Sequence, residues 1–427
     1  MKPLELTGAI ENGALDAKLR VLYGESEIAV QRARYTKAIS EFAAIYGADR
    51  DASLFSVGGR SEISGNHTDH NHGCVLAAAV NLDIIAVAAP SAENTIRVKS
   101  EGFPEDVVKL DAYTAPDRER YFTSESLIAG MAAAFRERGL AAGGFDAYTT
   151  SNVFKGSGLS SSAAFEDMIG NILNHLSNGG VVDNVEIAKM AQFAENQFFG
   201  KPCGLMDQTA CAVGGFVSID FADPASPVIE KIGYSLSEHG YALCIVNTGG
   251  NHADLNEDYA SVPREMKEIA SFFGRETLRD VSEAELTAKI PALRKRSGDR
   301  AVLRALHFIA ENKRVAAQAE ALRSGDTAAF LCGVTASGDS SYKYLQNVYT
   351  TQNTREQGLS LALCLTELLL RGSGAAWRVH GGGFAGTIQA FVPEAQISAY
   401  KSAMEAVFGA GSVFILSVRA DGAIRLI

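Results

Sequence analysis

Residues 145–176 read FDAYTTSNVFKGSGLSSSAAFEDMIGNILNHL. Phe145 to Val153 are rich in β-branched and aromatic residues and predict a strand. Phe165, Met168, Ile169, Ile172, Leu173 and Leu176 recur at spacings of three and four and predict an amphipathic helix. The order is therefore strand, small-residue loop, helix. In the loop, Gly156 and Gly158 let the backbone approach a ligand closely. Leu159 then leads into Ser160, Ser161 and Ser162, where the helix begins. Amides at a helix start lack intrahelical partners, and the positive end of the helix dipole favours an anion. Three hydroxyls add donors and a possible magnesium ligand, which suits a polyphosphate; a serine-capped helix start is the competing reading. No G-x-x-x-x-G-K-[ST] occurs in the chain, so any nucleotide use is not of the Walker A type.

Upstream, Leu54 to Val57 predicts a strand ending at Gly58-Gly59, followed by a polar loop from Arg60 to Gly73 and an apolar stretch closed by Pro90. The loop, in GGRSEISGNHTDHNHG, concentrates Arg60, Asn66, His67, Asp69, His70, Asn71 and His72. Three histidines and an aspartate could ligate a metal, or the array could hydrogen-bond a polyhydroxylated ligand, with Asp accepting from vicinal hydroxyls. A polar turn that satisfies its own backbone also fits. Neither H-E-x-x-H nor a Cys/His zinc spacing is present, which favours the sugar-like ligand. Downstream, Glu195 and Asp207 stand at the two ends of AENQFFGKPCGLMD, joined by a turn that could bring both to one cleft. One carboxylate would hold Mg2+ beside phosphates and the other would face an acceptor hydroxyl.

The second half carries helical tracts at about 301–322 and 359–370 and ends around VHGGGFAGTIQAFV. There Gly381, Gly383 and Gly386 satisfy G-x-G-x-x-G, the dinucleotide fingerprint. That fingerprint must open a helix, whereas Thr387 and Ile388 lead into a strand-like run stopped by Pro393, so the cluster reads as a turn between strands. Asp223 to Pro227 is the best linker, giving domains of 1–222 and 223–427 in an α+β or α/β architecture. The segment before Tyr46 predicts a long N-terminal helix.

Composition narrows the class. The chain has 427 residues, Lys+Arg 39 against Asp+Glu 50 and a net charge of −11. That is globular composition and excludes a disordered chain. It also disfavours nucleic acid as main partner, because Arg294-Lys295-Arg296 is the densest basic run. The six cysteines form no C-x-x-C pair and read as reduced, buried thiols. The first thirty residues are interrupted by charges, and the longest apolar run, Leu127 to Phe135, is too short to span a membrane. A cytoplasmic location is expected.

Taken together, GGRSEISGNHTDHNHG, KGSGLSSSAAFE, KPCGLMDQ, NTGGNHADLNEDY and VHGGGFAG resemble, in order, segments of the GHMP sugar kinases, the galactokinases most closely, with similarity running from about Phe42 to Val392. The resemblance implies a two-domain α+β fold: an N-terminal α/β domain like ribosomal protein S5 domain 2, a C-terminal ferredoxin-like domain and an active site in the cleft between them. It implies a monomer that transfers the γ-phosphoryl of ATP, with Mg2+, to the anomeric oxygen of galactose. By position, Asp207 matches the catalytic aspartate and Arg60 the arginine between it and the phosphates. His67, Asp69, Gly204 and Tyr259 match sugar-contacting residues; Gly156, Gly158, Leu159, Ser160, Ser161 and Ser162 the ATP-binding loop; Ser162 and Glu195 the magnesium side. Asn66 stands where galactokinases usually carry a glutamate that holds the sugar's hydroxymethyl. Uncharged, it could serve galactose or tolerate a carboxylate, so galacturonate is a second candidate substrate. A non-catalytic sugar and nucleotide sensor of the same fold and a zinc hydrolase are the other readings.

Overall fold

The computed structural model describes residues 1–153, 158–250 and 255–427. Gly156 of the serine-rich loop lies outside the described residues. The N-terminal segment is helical but not continuous. Helices α1 (Pro3–Glu11), α2 (Asp16–Tyr23) and α3 (Ile28–Tyr46) are separated at Gly13, φ 80°, and Gly24, φ 89°. A right-handed helix cannot pass through such angles, so the expected long helix is three. Leu6, Ile10, Leu19, Leu22, Ile39 and Phe42 pack on Leu54, Ile85 and Val87 of the sheet beneath.

Strand β1 (Ser53–Ser64) runs through Gly58 and Gly59 rather than ending there, so Arg60 to Ser64 are strand residues and the polar loop begins at Gly65. The glycines serve close approach. A Cβ on Gly58 would lie 2.7 Å from the Val80 carbonyl oxygen, and one on Gly59 2.8 Å from that of Leu159. The first sheet then adds β2 (Cys74–Pro90), β3 (Thr95–Ser100) and β4 (Glu105–Lys109). Helix α4 (Ser124–Glu137) precedes β5 (Phe145–Ser151), the expected strand, and α5 (Ser161–Ser177), the expected amphipathic helix. Helices α6 (Asn184–Phe193) and α7 (Met206–Val213) and strands β6 (Phe216–Asp220) and β7 (Val228–Ile232) follow.

Strand β8 (Tyr241–Asn247) opens the second sheet. Helices α8 (Asn256–Phe272), α9 (Glu283–Ser324, kinked at Gly298), α10 (Thr327–Ser340) and α11 (Gly358–Leu370) separate it from β9 (Ala376–Val379) and β10 (Thr387–Pro393). Helix α12 (Ile397–Phe408), β11 (Val413–Leu416) and β12 (Ile424–Arg425) complete the chain. The sheet order is β12-β1-β2-β5-β3-β4, with β6 and β7 branching from β2, and β11-β8-β10-β9 in the second sheet. Every pairing in the second sheet is antiparallel, and β9 and β10 are joined across the glycine cluster. Strand β7, beyond Pro227, still pairs with β6, and β12 pairs with β1. The first sheet thus draws on residues from both sides of position 222.

Buried polar groups tie the two sheets together at β1. Gln389 on β10 donates to the Glu62 carbonyl at 2.7 Å and accepts from the Ser61 hydroxyl at 3.1 Å, while Arg378 on β9 donates to the Ile63 carbonyl at 2.8 Å. Each bond satisfies groups that water cannot reach, so the register of β1 against the second sheet is fixed. Among the described residues, no helix is long and apolar enough to cross a membrane.

Candidate active site

The site begins with an ion pair. Arg60, on β1, donates from Nε and Nη2 to the two Asp207 carboxylate oxygens at 2.8 and 2.7 Å. A planar guanidinium and a carboxylate in this two-bond geometry fix each other's orientation. Asp207 lies in the first turn of α7, where a negative charge suits the helix dipole. The third Arg60 nitrogen donates to the Gly158 carbonyl, and its backbone N–H to that of Leu159 at 3.1 Å. One arginine thereby joins the aspartate to the glycine-serine loop.

Ser160, at the start of α5, adopts a left-handed conformation, φ 56°, and makes no side-chain cap. Its hydroxyl instead donates to Asp207 Oδ2. The first amides of α5 are left uncapped by that side chain, as an anion site requires. Desolvation raises the Asp207 pKa. The Arg60 charge and hydrogen bonds, the Ser160 hydroxyl and the Lys201 charge outweigh it and hold the carboxyl below its ordinary value.

Gly158 has φ 73°, and a Cβ there would stand 3.1 Å from His380 Nδ1. Gly158→Ala should therefore displace the loop on both grounds, at about 1–2 kcal/mol for the backbone alone. The expected outcome is a several-fold rise in KM for ATP with sugar affinity unchanged, checked by initial rates and by calorimetry with sugar alone.

The second carboxylate of the expected pair, Glu195, is buried. Its Oε1 is 3.5 Å from the Ser162 hydroxyl and accepts from Lys201 Nζ at 2.8 Å, and its Oε2 accepts from Gln208 Nε2 at 2.8 Å. Gln208 also reaches the buried Glu166 at 3.2 Å. Burial, then the Glu195 charge, pushes the Glu166 pKa up. Ser162 and Glu195 are hard oxygen donors that fit Mg2+, and a cation already rests on Glu195, the half-exposed ammonium of Lys201.

On the other side of Arg60, Asn66 and His67 of the polar loop reach the turn between β9 and β10. His67, φ 58°, bonds through Nε2 to the Gly382 carbonyl at 2.8 Å. The carbonyl can only accept, so this nitrogen carries the proton. Burial lowers the pKa of His67 to about 4, leaving neutral imidazole with Nδ1 as an acceptor. Asp69 approaches Gly204 so closely that a Cβ there would be 2.8 Å from Oδ2. Tyr259 donates to the Gly383 carbonyl at 2.8 Å and packs edge-on against Phe384. His67, Asp69, Gly204, Tyr259 and Asp207 are all partly exposed.

Asn66, expected to face the ligand, is buried. It is 1 % exposed; its Nδ2 donates to Glu62 Oε1 and to the Gly381 carbonyl, both at 2.8 Å, and its Oδ1 accepts from Asn347 at 2.6 Å. Both amide protons are spent on groups of the protein itself. Among the described residues, no three His, Cys, Asp or Glu side chains are grouped to hold a metal, and His70 points to solvent.

Glu62, Lys201, Gln208, Asn347 and His380 were not among the sequence candidates. Glu62 joins Arg60 on one strand face only because β1 continues through Ser64. The others carry no local signal.

The arrangement is a cleft with an uncapped helix start on one side, a polar loop on the other and an Arg–Asp pair between them. Residues 126–215 match the family described as GHMP kinases N terminal domain, and residues 40–90 match the galactokinase galactose-binding signature. With the two-sheet fold, these define a GHMP kinase. The chain is 31 % identical over 378 residues to the galactokinase of Streptomyces coelicolor, covering 87 % of this chain and 92 % of that protein. It is 30 % identical over 362 residues to the galactokinase of Actinobacillus pleuropneumoniae serotype 3, covering 84 % and 90 %. It belongs to the galactokinase family. In fold it is similar to Lactococcus lactis galactokinase complexed with galactose, with TM-score 0.76, 23 % identity and coverage of 92 % of this chain and 100 % of that one. A mevalonate kinase structure shares the fold more distantly, with TM-score 0.60, 14 % identity and coverage of 86 % and 99 %.

Proposed function

We propose that this protein transfers the γ-phosphoryl group of ATP to the anomeric hydroxyl of galactose, giving galactose 1-phosphate and ADP. The observation that carries the reading is the Arg60–Asp207 pair, held between the serine-rich helix start and the loop of His67 and Asp69. In the assignment we favour, Gly158 to Ser162 cradle the phosphates; His67, Asp69, Gly204 and Tyr259 hold the sugar; and Asp207 faces its reactive oxygen. Arg60 aligns Asp207 and offsets the charge of the transferring phosphoryl group. Bound at Ser162 and Glu195, Mg2+ supplies neutralising charge to the ATP phosphates.

As the sugar oxygen forms its bond to phosphorus, the bond from phosphorus to the β,γ-bridging oxygen breaks and ADP leaves. The hydroxyl proton passes to Asp207. Because the aspartate's pKa is depressed, that transfer comes late in a loose transition state. Positioning and electrostatics then supply most of the rate.

The test is ADP release with galactose, galacturonate, N-acetylgalactosamine and arabinose, with phosphorus NMR of the product. Galactose should give the highest kcat/KM and the phosphate should sit on the anomeric oxygen. Binding of galactose and ATP without ADP release would favour the sensor reading instead. The same reading includes a cytoplasmic monomer that does not engage nucleic acid, with domains divided near residue 222 and β7 and β12 returning to the first sheet.

A further inference from the structure

Glu62 follows Arg60 by two positions in an unbroken stretch of β1 register, so both side chains project from the same face of the strand, the one that meets Asp207. It is 7 % exposed. Oε1 accepts from Asn66 at 2.8 Å and lies 3.7 Å from Nη2 of Arg378, a nitrogen that has no hydrogen-bond partner among the described residues. Oε2 makes no hydrogen bond among the described residues. Burial raises the pKa of this carboxyl, opposed by the Arg378 and Arg60 charges and the Asn66 amide. Its backbone is clamped by Gln389, and the next residue's by Arg378, so the side chain starts from a fixed point.

A carboxylate oxygen on a mostly buried side chain gains from a hydrogen-bond donor. Among the described residues, Asn66 has spent both amide protons and Nη2 of Arg378 lies 3.7 Å from Oε1, beyond hydrogen-bond reach, whereas a sugar bound between Asp207 and Asp69 would bring several hydroxyls. We infer that Glu62 is the specificity-determining residue of the sugar site: Oε2 accepts a hydrogen bond from a sugar hydroxyl, and the carboxylate disfavours sugars that carry a carboxylate of their own. The inference rests on the sugar kinase reading above and refines its substrate class to neutral polyhydroxylated sugars. It also moves discrimination from Asn66 to Glu62. A like charge within a poorly hydrated cleft acts without direct contact, so a uronate is penalised even where its shape fits.

The test compares galactose, galacturonate and galacturonamide, the neutral isostere of the acid, by calorimetry without ATP and then by kcat/KM. The natural enzyme should bind the amide at least about tenfold more tightly than the acid, the order expected when one like charge is removed from a buried site. Glu62→Gln should weaken galactose binding about tenfold or more, the usual scale for a hydrogen bond to a charged group, with the loss on KM rather than kcat. In that variant the gap between acid and amide should narrow about tenfold. Glu62→Asp, which keeps the charge and shortens the reach, should weaken galactose but keep the gap. Equal binding of acid and amide by the natural enzyme overturns the inference without any variant. So does a folded Glu62→Gln protein, judged by its thermal midpoint and ATP binding, whose galactose affinity and acid-to-amide ratio both stay within twofold. If galactose itself neither binds nor is phosphorylated, it is the underlying function that fails, and the galactose arm alone reports that.

Discussion

Asp207→Asn is expected to lower kcat by about 10²–10⁴, the range for losing a positioned proton acceptor, while the dissociation constant for galactose changes by less than about threefold. Asparagine keeps the shape of aspartate, and its one oxygen can still accept from one Arg60 nitrogen and Ser160, but its NH2 cannot accept from the other Arg60 nitrogen and the side chain cannot take the sugar's proton. The loss therefore falls on an interaction made in the transition state and not in the ground state. The acid limb of the natural enzyme sharpens the prediction. Two Arg60 hydrogen bonds at 2.8 and 2.7 Å, with the Ser160 hydroxyl and the Lys201 charge, outweigh desolvation and hold Asp207 ionised below its ordinary pKa of 3.8. kcat should thus stay flat as pH falls from 8 to about 5, because the carboxylate is not protonated in that window. Rapid-quench measurement of the first turnover, beside calorimetry with galactose, checks both statements. Near-normal turnover in Asp207→Asn would remove this residue from the proton path.

How much of this site could be read from the sequence follows from how each contact is made. The serine-rich loop and its helix were legible because both depend on neighbours in sequence: the apolar stripe from Phe165 to Leu176 and the small residues before it. The glycine cluster at 381–386 was legible as a strand turn because Pro393 and the β-branched run after it exclude a helix. Arg60, Asp207, His67 and Asp69 stood out by their density of chemistry, and the structure brings them to one cleft. What failed was whatever a distant segment decides. Gly58 and Gly59 suggested the end of a strand, yet they admit the Val80 and Leu159 carbonyls and the strand continues. Asn66 looked available to a ligand, and only the approach of distant residues, Gly381 to its amide protons and Asn347 to its oxygen, shows its amide to be occupied. Glu195 alone could not reveal that Gln208 links it to the buried Glu166.

The same distinction bears on the N-terminal helices, for which the sequence offered no role, and on the largest stability effect expected in the chain. Asp83 on β2 is fully buried. It accepts from Tyr23 of α2, Ser56 of β1, Arg34 of α3 and Arg419 of the C-terminal segment, the last at 3.3 Å. Arg419 is itself fully buried and also donates to the Ser56 hydroxyl at 2.7 Å and the Gly422 carbonyl at 2.8 Å. One carboxylate thus binds the first helices, the central strands and the last residues of the chain. Asp83→Asn leaves two guanidiniums facing a neutral amide, and breaking a buried pair in this way costs about 3–5 kcal/mol. The thermal midpoint should fall by at least roughly 5 °C. Arg34→Gln in the Asp83→Asn background should cost less than the two changes separately, by about 1–2 kcal/mol, because the first change has already removed the partner. The pH dependence has a definite sign. Desolvation raises the Asp83 pKa, but the Arg34 and Arg419 charges outweigh it and hold the folded value below the ordinary 3.8. Its contribution is complete above that pH and is lost as pH falls through the folded value, so the gap between natural protein and Asp83→Asn should be constant from neutral pH to about 5 and shrink below about 4. Thermal melts across that range decide it: a gap below about 1 kcal/mol at neutral pH would mean that the helices are held by their apolar contacts with Leu54, Ile85 and Val87 and not by this carboxylate.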